Sequence, residues 1–116
     1  MDNKKIISIV LSAYNEEGSI PELYKRLNDT TSKITTYKFE YLFINDCSTD
    51  NTQDIIDDLI KLDNRVSLVN FSKNCGSHHA DAAGIDHCQG EVAILMACDL
   101  QDPPEIIPKL INEWEK

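Results

Sequence analysis

Four short stretches carry most of the groups in this sequence that could do chemistry. They are Ser12-Ala13-Tyr14-Asn15-Glu16-Glu17-Gly18, Asn45-Asp46-Cys47-Ser48-Thr49-Asp50-Asn51, Ser72-Lys73-Asn74-Cys75-Gly76-Ser77-His78-His79 and Asp99-Leu100-Gln101-Asp102-Pro103-Pro104-Glu105. The first, second and fourth are acidic, while the third carries Lys73 and two histidines. Asp99, Gln101 and Asp102 offer hard oxygen ligands of the kind Mg²⁺ or Mn²⁺ takes. Such ions are commonly held by one or two carboxylates together with substrate phosphates and water, so a nucleoside diphosphate would complete the shell. Asp46 and its neighbours could hydrogen-bond a base or ribose, and Asn74-Cys75-Gly76-Ser77 could present backbone N–H groups to an anion at a helix start.

Taken singly, each stretch also reads as ordinary punctuation. Asn-Glu-Glu-Gly-Ser makes a turn and a helix start, Asp-Cys-Ser-Thr-Asp-Asn is rich in turn and cap formers, and Asp-Pro-Pro-Glu opens a helix well. His78 and His79 are adjacent, so on a helix they point about 100° apart and do not readily share one metal. His87 reads as a helix-face residue, and Cys47, Cys75 and Cys98 as small packing residues. Neither a G-x-x-x-x-G-K-[ST] loop nor a G-x-G-x-x-G turn occurs, which argues against P-loop NTPases and the usual dinucleotide fingerprint.

Taken together the stretches mean more, because of what must position them. Each follows a short apolar, β-rich run: Ile6 to Leu11, Phe39 to Asn45, Val66 to Phe71 and Val92 to Ala97. The runs are nearly continuous rather than alternating, as for strands buried on both faces of a parallel sheet. Helical patterns fill the intervals. Ser19-x-x-Glu22 has the form of a capping box ahead of Leu23 and Leu27, and Asp50-x-x-Gln53 precedes Ile55, Ile56, Leu59 and Ile60. Ser77 opens a third helix with the small residues Ala80, Ala83 and Gly84 on one face. Asp102-Pro103-Pro104-Glu105 opens a fourth, along which Ile107, Leu110, Ile111 and Trp114 form a stripe that Pro108 would bend at its start. The order is βαβαβαβα, an α/β fold with a Rossmann-like parallel sheet. Right-handed crossovers bring all four stretches to the carboxyl edge of that sheet, where such folds bind ligands. An edge so rich in carboxylates is costly unless a cation sits there.

The 116 residues are one domain or part of one, and 41% hydrophobic content suits a packed core. The formal net charge of -9 argues against nucleic acid as a partner, which needs a basic footprint, but not against a metal. The opening Met1-Asp2-Asn3-Lys4-Lys5 leads into too few apolar residues for an export signal, and no run approaches the ~20 residues that span a bilayer. Four cysteines without a CxxC pair point to reduced thiols in the cytoplasm.

The residues Ile9 to Glu17, Asn45 to Asp50, Asn74 to Gly76, and above all Asp99-Leu100-Gln101-Asp102-Pro103-Pro104-Glu105, resemble the family 2 glycosyltransferases. The branch most resembled includes dolichol-phosphate mannose synthases and bacterial polyprenyl-phosphate sugar transferases. The resemblance runs from about Ile6 to Trp114. It implies the nucleotide-binding half of a GT-A-type fold and a nucleotide-diphosphate sugar as donor, with Mg²⁺ or Mn²⁺ as cofactor. It also implies a polyprenyl phosphate or a growing glycan as acceptor, at the cytoplasmic face of a membrane in a full-length protein. Carried over position by position, it assigns Ala13, Tyr14, Glu16 and Asp46 to base and ribose and Asp99 and Gln101 to metal and diphosphate. Asn74 and Gly76 join the nucleotide site.

Three departures accompany it. Ala97 stands where the family commonly has the first aspartate of an Asp-x-Asp motif, and Cys47 stands where it has a glycine. Family members also continue well beyond the position of Lys116, with the acceptor site and general base in the later part. Residues 1–116 therefore read as the donor-binding half, expected to bind nucleotide without turnover and to self-associate through open sheet edges. The competing functions are a non-catalytic nucleotide-sugar binding module and a signalling receiver domain. The second lacks the required aspartate after its third strand, which ends in Phe71-Ser72-Lys73.

Overall fold

A computed structural model of the chain describes residues 4–116. The first three residues, which enter the reading of the amino terminus above, lie outside them. Four strands, β1 (Ile6–Ala13), β2 (Lys38–Asn45), β3 (Val66–Asn70) and β4 (Val92–Ala97), alternate with four helices, α1 (Ile20–Thr31), α2 (Thr52–Leu62), α3 (Ser77–His87) and α4 (Ile107–Glu115). The sheet is parallel throughout, in the order β3-β2-β1-β4. The chain builds outward from β1 to β3 and then crosses to the other side of β1 for β4. The strand order thus reverses between β1 and β4, which is where a crevice opens in such a sheet.

Side-chain alternation divides the core. Ile7, Ile9 and Leu11 of β1 and Phe39, Tyr41 and Phe43 of β2 pack with Leu23 and Leu27 of α1, Ile56 of α2 and Ile107 and Ile111 of α4. The opposite face presents Val10, Leu42 and Ile44 to Ala80 of α3. Three helices therefore cover one face and one helix the other. The continuous apolar runs led us to expect burial on both faces of every strand. That holds for the inner strands β1 and β2, but Leu95 of β4 is 43% exposed on the face that α3 only partly covers.

The small face of α3 has its physical reason here: a Cβ on Gly84 would lie 2.2 Å from Val10 Cγ1, so only glycine lets the helix sit this close. Two helix starts differ from the sequence pattern. The Ser19 hydroxyl makes no capping bond to α1; it donates to the Cys98 carbonyl at 2.6 Å, so the capping box is not formed. Asp102 does not cap the fourth helix either. Its Oδ2 accepts the Ala97 N–H at 3.3 Å, while a single 3-10 turn at Pro104–Ile106, preceded by Pro103, leads into α4, whose first turn holds Pro108.

Candidate nucleotide and metal site

All four strand-end stretches meet at the carboxyl edge of the sheet. A cleft of about 160 Å³ opens there, lined by Ala13, Tyr14 and Glu16 from the first stretch and Asp46 from the second. Ser12, Ala97, Ser77 and Ala80 complete it, from the paired ends of β1 and β4 and the first turn of α3. A second hollow of about 210 Å³ shares Ser12, Ser77 and Ala97 and continues the cleft towards Asp81 and Asp102. The cleft thus lies at the switch point between β1 and β4, with Tyr14, 45% exposed, on its rim.

Asp46 is buried, and both of its oxygens are engaged. Oδ1 accepts the Cys75 N–H at 2.7 Å and Oδ2 the Gly76 N–H at 2.9 Å, while Asn74 Nδ2 donates to the Asp46 carbonyl at 3.2 Å. Asn74 and Gly76 are therefore joined to Asp46 directly. The N–H groups expected to await an anion at Cys75 and Gly76 already hold a carboxylate. Gly76 has φ +91, a conformation open to glycine but strained for other residues.

Glu16 faces the fourth stretch. Partial burial raises its carboxyl above the usual range, the negative charges of Asp99 and Asp50 add to the rise, and the Ser19 hydroxyl, whose one proton is shared between the Cys98 carbonyl at 2.6 Å and Glu16 Oε2 at 3.0 Å, opposes it. Asp99 is exposed at the rim, and its Oδ1 accepts the Gln101 N–H at 3.1 Å. That bond closes a tight turn in which Leu100 has φ +67. Cys98 is fully buried, and burial pushes its thiol far above the ordinary range, so it is a packing residue and not a nucleophile. All four cysteines are free thiols.

Of the eight residues singled out from sequence, Ala13, Tyr14, Glu16 and Asp46 line one cleft, and Asn74 and Gly76 are tied to it. Asp99 and Gln101 do not line it; Asp99 lies near enough to Glu16 to raise its carboxyl, and Gln101 is joined to Asp99 through its backbone N–H. Sequence reasoning read Ala80 only as a packing residue, and it placed Ser12 and Ser77 in the strand-end stretches without giving their side chains a part in the site. Ser12 could have been found from strand alternation, since it shares with Val10 the face covered by α3.

Cys47 bears on the departure noted above. Its φ is +58, so the position does require the left-handed conformation, and a side chain there is strained. Cys47→Gly is expected to leave stability within about 1 kcal/mol of the parent, relief of strain offsetting the freer unfolded backbone. Cys47→Val should cost about 1–2 kcal/mol more, since β-branched residues tolerate this region least. Urea midpoints of the three proteins measure the difference.

The model for glycosyl transferase family 2 matches residues 8–116, nearly all of the chain. The chain belongs to this family. A bactoprenol glucosyl transferase of Shigella phage SfX is 41% identical over 109 residues, which cover 94% of this chain and 35% of that protein. The chain thus spans about a third of the length of the curated relatives it matches. Among solved structures, S. aureus TarS 1-349 in complex with UDP-GlcNAc superposes with a TM-score of 0.71 at 22% identity, covering 93% of this chain and 30% of that one. A Pyrobaculum calidifontis mannosyltransferase in complex with GDP-Man and Mn²⁺ superposes with a TM-score of 0.65 at 19% identity, covering 83% and 28%. At these identities the structures establish the glycosyltransferase fold. Among the described residues, no helix of this family 2 chain is long and apolar enough to cross a membrane.

Proposed function

We propose that this family 2 chain is the donor-binding part of a metal-dependent glycosyltransferase that takes a nucleotide-diphosphate sugar and delivers the sugar to a polyprenyl phosphate. The observation that carries the reading is the switch-point cleft, in which Ala13, Tyr14, Glu16 and Asp46 converge beside Asp99. The named bactoprenol transferase among the relatives supports the acceptor class.

The residues fit a divalent ion of the Mg²⁺ or Mn²⁺ type. Asp99 is an exposed carboxylate with one oxygen taken by the Gln101 N–H, and Glu16 is close enough to feel its charge. Among the described residues, no group of three or more His, Cys, Asp or Glu could hold an ion unaided. An ion held at Asp99 would therefore need substrate phosphates and water to complete its shell. Asp99 and the Gln101 side chain would hold it, and when bound it would offset the charge developing on the departing nucleoside diphosphate. The protein groups supply position. Tyr14, exposed at the rim, would stack its ring on a base, and Ser12 and Ser77, which line the cleft, would hydrogen-bond the polar part of the ligand. The backbone around Asp46 keeps the floor of the cleft fixed.

Calorimetric titration with UDP-sugars and GDP-sugars, with and without Mn²⁺, tests the reading. Binding that needs the ion, that Asp99→Ala abolishes and that proceeds without sugar transfer is expected. An absence of binding by every nucleotide sugar in the presence of metal would overturn it, and family-like turnover by this chain alone would overturn the donor-binding-only part.

A further inference from the structure

We infer that Asn15 is the positioning residue of the cleft: a side chain that touches no ligand but locks the Tyr14–Glu17 loop to the β2–α2 loop, so that residues from both meet a nucleotide in one preformed geometry. The inference rests on the function proposed above and adds a residue to it.

The observations converge on one side chain. Asn15 Oδ1 accepts the Thr49 N–H at 2.8 Å, the Thr49 hydroxyl at 3.2 Å and the Asp50 N–H at 3.3 Å. Its own N–H donates to the Ser48 hydroxyl at 3.0 Å, and that hydroxyl donates to Asn45 Oδ1 at 2.6 Å. The next two backbone groups follow the same route. Glu16 N–H reaches the Thr52 hydroxyl at 2.8 Å and Glu17 N–H reaches Asp50 Oδ2 at 3.2 Å. Residues more than thirty positions apart are thus laced along both loops, and Asn15 contributes both a donor and an acceptor.

The backbone of Asn15 matters as much. Its φ is +53, a region asparagine enters far more readily than most side chains. This left-handed step separates Tyr14, on the rim, from Glu16, which turns back into the cleft towards Asp99. Asn15 itself is exposed and does not line the cleft. Its effect on a ligand must therefore pass through its neighbours.

Three variants separate backbone from side chain. Asn15→Gly keeps the turn and loses the acceptor, Asn15→Ala loses both, and Asn15→Asp keeps both. The first readout needs no ligand: amide hydrogen exchange. In Asn15→Gly the Thr49 and Asp50 amides should exchange faster. So should the Glu16 amide, although its own acceptor, Thr52, is untouched. The second readout is UDP and GDP affinity with Mn²⁺. If the variant holds the competent geometry a tenth of the time, affinity falls about tenfold. Asn15→Ala should fall further, and Asn15→Asp should recover most of the loss. Tyr24→Phe, which removes a hydrogen bond to Asp63 below the amino end of β3, serves as a control that lowers stability without changing affinity. Unchanged Glu16 exchange, or a lowered melting point with affinity intact in Asn15→Gly, would overturn the inference. A parent chain that binds neither nucleotide would overturn the proposed function and this role with it. A parent that binds while Asn15→Gly binds equally well would overturn only the role of Asn15.

Discussion

Asp46→Ala is expected to destabilise the chain by about 3 kcal/mol and to remove nucleotide binding with it. Two backbone donors, Cys75 N–H and Gly76 N–H, converge on this one carboxylate at 2.7 and 2.9 Å. A hydrogen bond to a charged group contributes roughly 1.5–3 kcal/mol, and a donor left without its partner adds a desolvation cost. Partial water access to Cys75 and Gly76 keeps the total at the lower end. Asp46→Asn retains one acceptor but turns an amide N–H₂ towards the other donor, so about half the loss is expected. Urea unfolding reads both, with an unchanged m-value showing that only stability has moved. The pair also separates two roles. Each Asp46 oxygen has a second lone pair, so a hydrogen bond to a base or ribose beside the clamp is chemically open. If Asp46 acts only as a clamp, nucleotide affinity will track stability through the series. If it also reads the base, Asp46→Asn will lose affinity while most molecules remain folded.

The strands, helices and the convergence of their loops were legible in the sequence because each rests on local information. Apolar runs and helical stripes name the elements, and the handedness of crossovers does the rest. The edge exposure was not legible. Val92 to Ala97 reads the same whether or not a helix covers its second face, and the position of α3 is a tertiary fact. The helix starts failed for a related reason. Ser19-x-x-Glu22 is a correct local pattern, yet its hydroxyl is drawn to a carbonyl 79 positions away. Asp102 likewise reaches back to β4 instead of forward into the next helix. Side chains at a shared loop edge have more partners available than a local pattern counts. Asn15 shows the same limit, since its loop reads as an ordinary turn until the β2–α2 loop is brought beside it.

The close approach of α3 yields the other large effect. A methyl group added at Gly84 would sit 2.2 Å from Val10 Cγ1 and 3.2 Å from Val10 Cβ and Cγ2, where carbon atoms ordinarily stay about 3.5–4.0 Å apart. Val10 is fully buried in β1, so it has no free direction in which to yield, and the helix must lift. Overpacking of this kind costs roughly 1–3 kcal/mol, against which alanine returns up to about 1 kcal/mol of helix propensity. A net loss of about 2 kcal/mol is expected, a fall in melting temperature on the order of 10 °C for a domain of this size. Because Ser77 at the start of α3 lines the cleft, lifting the helix also moves one wall of the site, and nucleotide affinity should fall in the molecules that remain folded. The double variant decides whether this contact is the cause. Val10→Ala alone opens a cavity and destabilises. With Val10→Ala already in place, Gly84→Ala should cost little or become stabilising, a coupling of about 1–3 kcal/mol between the two positions. Additive losses would mean that α3 is held off the sheet by some other contact and that Gly84 is merely a weak helix residue.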